Sequence, residues 1–199
     1  MKWVYSLKPI LLIGLGALGS TILELLSTKP VLGRIIAADV NPVKGSEVVD
    51  NVRRAAIMQG YHIPEIEFKR IDLFDVEGTA ELFGDLEPAY IINSTALTTW
   101  WLPHLLPTEV SHKLLKAGLG PWVPGHLTLT YNLMKSFKKS GIDAKITNCS
   151  YADVVHPMLD KLGLCPTVGG GNLDLLVPRI KKYVAAKFGV PTSDVQVLS

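Results

Sequence analysis

The glycine pattern Gly14-Leu15-Gly16-Ala17-Leu18-Gly19 constrains this chain more than any other feature. It follows Ile10 to Ile13, a short and wholly apolar run of the kind found in parallel strands buried on both faces. After it, Leu18, Ile22, Leu25 and Leu26 recur at helical spacing, so residues 17–28 are expected to form a helix. In a strand–turn–helix each glycine has a task. The first permits a tight turn, the second lets a pyrophosphate approach the backbone, and the third lets the helix pack closely on the strand. The helix start, with Ala17 and Leu18 in its first turn, offers free N–H groups and a partial positive charge to phosphates. The alternative is a turn whose glycines serve packing alone.

The next segments repeat the rhythm. Arg34 to Ala38 reads as a second buried strand ending at Asp39, and Asn41-Pro42 breaks it. Val48, Val52, Ala55 and Ala56 mark a second amphipathic helix. Ile66 to Ile71 reads as a third strand, residues 76–84 as a short helix, and Tyr90-Ile91-Ile92 as a fourth strand leading into Asn93-Ser94-Thr95. This alternation implies an α/β fold of the Rossmann type: a doubly wound parallel sheet with helices on both faces and right-handed crossovers. Residues 97–124 interrupt it with Pro103, Pro107, Pro121 and Pro124 and with Trp100, Trp101 and Trp122, and are expected to form an irregular, lid-like insertion holding a short helix at 108–117. Then come a helix near 126–139, a strand at 144–147, a helix near 152–162 and a short strand at Thr167-Val168. A last helix is expected from about Val177, with Pro178 in its first turn and Ile180, Val184 and Phe188 facing the core, before a strand at Val195-Gln196-Val197.

With 199 residues the chain suits a single domain. Its net charge of +2 and lack of a basic stripe argue against nucleic acid as a partner. Two cysteines are too few for a disulfide scaffold or a zinc cluster, and the five histidines have no metal-ligand spacing, so no metal is expected. No apolar run approaches the ~20 residues of a membrane span. Lys2, the apolar run and Ala17-Leu18-Gly19 imitate a secretory leader, but Lys8-Pro9 interrupts the run and cleavage would destroy the glycine turn. The expected setting is cytoplasmic.

The glycine turn points to a dinucleotide on three further grounds: it follows a buried strand, it opens a helix, and Asp39 ends the next strand, where a carboxylate takes ribose hydroxyls. A carboxylate there accepts from a 2′-hydroxyl and repels a 2′-phosphate, which favours NAD over NADP. Lys44, Arg53 and Arg54 lie nearby in sequence and suit either a tempering of that preference or a solvated helix face. Asp72, after the third strand, suits either the adenine edge or a helix cap. Asn93, Ser94 and Thr95, at the carboxyl end of the fourth strand, suit either the nicotinamide-side ribose or a polar turn. Trp100 and Trp101 suit a lid, a core cover or a subunit contact.

The last third, Ile146-Thr147-Asn148-Cys149 and then Val168-Gly169-Gly170-Gly171-Asn172-Leu173-Asp174, resembles the malate/lactate dehydrogenase family, as does Phe188-Gly189-Val190-Pro191 through Val197. The resemblance runs loosely over the chain and is most specific in residues 146–197. It implies that Asn148 touches a small-molecule substrate, that Asp174 orients a catalytic histidine, and that the chain is the N-terminal part of a longer dehydrogenase. That histidine would fall a few residues after Ser199; His156 replaces it only under a different alignment. The family's loop arginines are also missing, because no arginine lies between Arg70 and Arg179.

A weaker resemblance is to saccharopine-dehydrogenase-like reductases and to short-chain dehydrogenases, whose Tyr-x-x-x-Lys pair is matched by Tyr131 and Lys135. In those enzymes the tyrosine is the acid/base and the lysine lowers its pKa. On a helix the two share a face; they also suit an ordinary surface. Three functions therefore stand together: the NAD-binding part of a hydride-transfer oxidoreductase, a reductase using Tyr131 and Lys135, and a non-catalytic regulatory or assembly module that oligomerises through the surface around Trp100 and Trp101.

Overall fold

The computed structural model describes residues 8–99, 101–118 and 120–197, with residues 172–175 described through their backbone alone. Trp100 and the Asp174 side chain lie outside what is described.

Six strands form one wholly parallel sheet: β1 (Ile10–Ile13), β2 (Arg34–Asp39), β3 (Glu65–Arg70), β4 (Tyr90–Asn93), β5 (Lys145–Asn148) and β6 (Val168–Gly169). Their order is β3-β2-β1-β4-β5-β6. The chain winds outward from β1 to β3, crosses back, and winds the other way from β4. A crevice therefore opens between the carboxyl ends of β1 and β4, at the point where the winding reverses.

Alternation along the strands explains the two layers. Leu11 and Ile13 of β1, with Ile91 and Ile146, face a core closed by α3 (Val76–Leu86), α5 (Val123–Ser140) and α6 (Ala152–Asp160). Leu12, Ile35 and Ala37 face the other way, against Leu23 of α1 (Ala17–Ser27) and Val49 and Val52 of α2 (Pro42–Met58). Side chains point to opposite faces at successive strand positions, so a strand buried on both faces must be apolar throughout, as β1 is.

The insertion at 97–124 contains two short 3-10 turns and α4 (Thr108–Lys116), which buries none of its residues. Pro124 belongs to the helix that follows: α5 begins at Val123, and proline in a first turn lacks only an N–H that would have no partner there.

Three expectations at the end of the chain are corrected. The last helix, α7, runs Asn172–Phe188, so Pro178 lies inside it. Gly171, at a φ of 126°, turns the chain out of β6 and starts the helix before the proline. Its core face is also different. Ile180 and Phe188 are exposed, and Ala185 is the buried position among the described side chains. Val195-Gln196-Val197 is not a strand; a 3-10 turn at Thr192–Asp194 precedes it, and Val195 is buried.

Candidate functional site

The glycine turn joins β1 to α1 at the reversal point, and the three glycines differ in what surrounds them. Gly14 has a φ of 93°, a left-handed conformation that side chains rarely adopt, and a Cβ there would lie 2.9 Å from Thr95 Cγ2. A Cβ on Gly19 would lie 1.8 Å from the Gly14 carbonyl oxygen and 2.7 Å from Ser94 Oγ. Gly19 is therefore the contact through which α1 closes on the strand turn. Gly16 is the opposite case: a Cβ there would meet nothing within 4 Å. The protein does not need that space, and it faces the crevice at the start of α1.

Asp39 is tied to the same turn. Its Oδ2 accepts from the Leu15 N–H at 2.7 Å and its Oδ1 from the Asn41 N–H at 2.9 Å. The carboxylate thus clamps the glycine turn to the end of β2 while still lining the crevice. Asp72 lines it too, accepting from the Phe74 N–H at 3.0 Å, with the Arg70 guanidinium 3.7 Å away. The cap of α3 is Asp75, whose side chain accepts from the Gly78 N–H, so Asp72 is not the helix cap.

The crevice is a cleft of about 640 Å³. Sheet order divides it. Asp39, Lys44 and Asp72 lie on the β2–β3 side of the glycine turn, and Thr98, His126 and Ser150 lie on the β4–β5 side. Of the other predicted contacts, Gly14, Gly16, Ala17, Leu18, Ser94 and Thr95 all line it. Ser94 Oγ is already engaged, donating to the Gly14 carbonyl at 2.7 Å, and so staples β4 to the turn.

Asn93, read above as a ribose contact or part of a polar turn, and Asn148, read as a substrate contact, are both fully buried beneath the cleft floor. They sit opposite each other in the β4–β5 register. Asn93 Nδ2 donates to Asn148 Oδ1 at 2.9 Å and to Thr130 Oγ1 at 3.2 Å; Asn93 Oδ1 accepts from the Thr95 hydroxyl at 2.7 Å. Asn148 in turn accepts from the Ser150 N–H and donates to the Ser150 carbonyl, both at 3.1 Å. The pair positions the loops that form the cleft. Asn148→Ala is expected to cost about 2 kcal/mol, because it strips the Asn93 amide and the Ser150 N–H of a buried acceptor. Urea denaturation measures this; a loss below about 0.5 kcal/mol would mean that the network is not holding the floor.

Tyr131 and Lys135 share a face of α5, with the ammonium 5.5 Å from the ring centre. Neither lines the cleft. Tyr131 packs on the core side, and Lys135 borders a separate depression with Glu77, Lys138 and Lys139. His156 lies on α6 beside Gly169, also outside the cleft lining.

One group in the cleft has no signal in the sequence. His126, in the first turns of α5, places Nδ1 2.9 Å from Ser150 Oγ, and its ring lies 5.1 Å from that of Tyr151 at 56°. Tyr151 is held at a φ of 52°, an uncommon backbone for a tyrosine. Burial pushes the His126 pKa down, which keeps the imidazole neutral at neutral pH. Beside it, Thr98 Oγ1 is buried and has no hydrogen-bond partner among the described residues. It is seated over Gly125, where a Cβ would lie 2.1 Å from that oxygen.

No protein-family model and no curated protein matches the sequence. Solved structures do match in fold. Malate dehydrogenase from Plasmodium falciparum has a TM-score of 0.66 and 18% identity, over 96% of this chain and 53% of that one. Malate dehydrogenase from Picrophilus torridus, in its apo form, has a TM-score of 0.65 and 19% identity, over 96% and 54%. Lactate dehydrogenase from Eimeria maxima, crystallised with NADH and oxamate, has a TM-score of 0.63 and 17% identity, over 96% and 52%. The chain thus spans about half the length of these structures. At these identities the likeness is one of fold.

Proposed function

We propose that the chain is the NAD-binding part of a hydride-transfer dehydrogenase. The observation that carries this is the pairing of an open Gly16 with a clamped Asp39 at the point where the sheet reverses. The space at Gly16 suits a pyrophosphate at a helix N-terminus, and the Asp39 carboxylate suits ribose hydroxyls. Sheet order supports an adenosine toward Asp39 and Asp72 and a nicotinamide toward the β4–β5 loops. Structural neighbours carrying NADH lend further support.

A small-molecule substrate and a cytoplasmic setting belong to this proposal. Cys149 and Cys165 are free thiols, as a reducing compartment keeps them. No helix among the described residues is long and apolar enough to cross a membrane. Trp101 lines the cleft, so NADH is expected to quench tryptophan emission saturably. Quenching that rises linearly without saturation would count against the proposal.

A second reading, the non-catalytic assembly module, is favoured by α7, which exposes Leu176, Ile180, Tyr183 and Phe188. It predicts a change of oligomeric state when NADH is added, read by size-exclusion chromatography. An unchanged elution volume at saturating NADH would remove it.

A further inference from the structure

We propose that His126 is a catalytic acid/base for an uncharged alcohol or carbonyl substrate, bound at the β4–β5 end of the cleft and oriented by Ser150. The inference rests on the dinucleotide reading above and deepens it.

Three observations converge there. The first is the orientation of the ring. His126 has one hydrogen bond to Ser150, and burial of that serine leaves its hydroxyl little freedom to move away. If Nδ1 carries the proton and donates to Ser150 Oγ, Nε2 is left with a lone pair for a ligand. The tilted Tyr151 ring packs against the imidazole and limits its rotation. The second is the protonation state. Beside the imidazole lies Tyr151, and Cys149 is in the cleft lining; burial pushes both pKa values up, and the Asp153 carboxylate adds to the Tyr151 shift. Burial alone accounts for the His126 shift, with no charged partner contributing. The ring is therefore neutral and able to take a proton. The third is the absence of charge among the described side chains. The charged side chains lining the cleft are Asp39, Lys44 and Asp72, all on the far side of the glycine turn. Around His126 the lining is Leu97, Thr98, Trp101, Leu129 and Ser150. A substrate carboxylate would lose its hydration there and meet no cation among the described side chains, which is costly; an alcohol hydroxyl would donate to the His126 Nε2 lone pair.

The chemistry balances on these groups. Oxidising a secondary alcohol removes a hydride from the carbinol carbon and a proton from the oxygen, and the bound dinucleotide supplies the hydride acceptor. The proton passes to His126 Nε2, the C–O bond becomes C=O, and the imidazolium keeps its Nδ1–H on Ser150. In the reverse direction Nε2–H donates to the carbonyl oxygen. His126 touches the reacting oxygen in this scheme; Ser150 is a positioning residue.

The test uses the full chain saturated with NADH and titrated with cyclohexanol or with lactate, neither of which can be oxidised by the reduced dinucleotide. The readout is the ring-nitrogen NMR signal of His126, with alcohol affinity measured in parallel. Cyclohexanol, donating its O–H to Nε2, is expected to shift the His126 signals and lactate to leave them unmoved. At saturating NADH, His126→Phe should weaken cyclohexanol by about tenfold or more, the worth of one good hydrogen bond. Ser150→Ala should change the His126 tautomer signature and weaken the alcohol less. Unmoved His126 signals with NADH bound overturn the assignment of the residue. Lactate binding as tightly as cyclohexanol overturns the substrate class. A wild-type chain that fails to bind NADH overturns the underlying reading, and this assignment falls with it.

Discussion

Gly19→Ala is expected to cost about 4 kcal/mol of stability, while Gly16→Ala, three residues earlier, should change stability by no more than about 0.5 kcal/mol. The asymmetry follows from what each new methyl would meet. At Gly19 it would lie 1.8 Å from the Gly14 carbonyl oxygen. Backbone cannot rotate out of the way as the end of a long side chain can, so α1 would have to lift off the sheet, opening the contacts of Leu23 with Leu12 and Ile35. At Gly16 the methyl would enter open space from an extended backbone that alanine adopts without strain. The ranking should invert for ligand. Gly16→Ala fills the space assigned to the pyrophosphate, and is expected to weaken NAD by about tenfold or more without unfolding anything. Urea denaturation and calorimetric titration of the same two variants check both halves. Equal stability losses, or undiminished NAD binding by Gly16→Ala, would reduce the motif to a packing device.

Asp39→Ala is expected to weaken NAD by about a hundredfold, two charge-assisted hydrogen bonds to the ribose being lost together. NADP should lose much less, because the same change removes the repulsion of a 2′-phosphate, and the preference between the two dinucleotides should narrow. Stability should also fall by about 1–3 kcal/mol, since the buried Leu15 loses the acceptor of its N–H. Binding therefore has to be measured below the unfolding temperature of the variant. A change in stability with no change in NAD affinity would assign Asp39 to the turn alone.

Gly16, Gly19 and Asp39 were open to sequence reasoning because their evidence is local. A glycine turn, its strand and its helix fall within eighteen consecutive positions of the sequence, and the next strand ends at an aspartate. The parallel sheet was equally legible, since strands buried on both faces have to be apolar throughout. Asn93 and Asn148 show the limit. A strand end marks the crevice edge, but whether its side chain faces ligand or neighbour depends on the register between β4 and β5, and that register sets the two amides opposite each other. Pro178 misplaced the start of α7 because proline suits a first turn, whereas here the chain begins its helix at Asn172 and accommodates the ring inside it. His126 carries no local signal at all. Its partner Ser150 is 24 positions away, and the two meet only because α5 and the end of β5 border the same cleft.

The most direct measurement is a calorimetric titration of the 199-residue chain with NAD and with NADP at one fixed salt concentration, the fold being verified by circular dichroism in the same buffer. NAD is expected to bind saturably at one site, with NADP weaker by about tenfold or more, because on the proposed reading the Asp39 carboxylate repels a 2′-phosphate. A folded protein that gives no saturable heat with either dinucleotide would contradict the cradle at Gly16, and the hydride chemistry built on it.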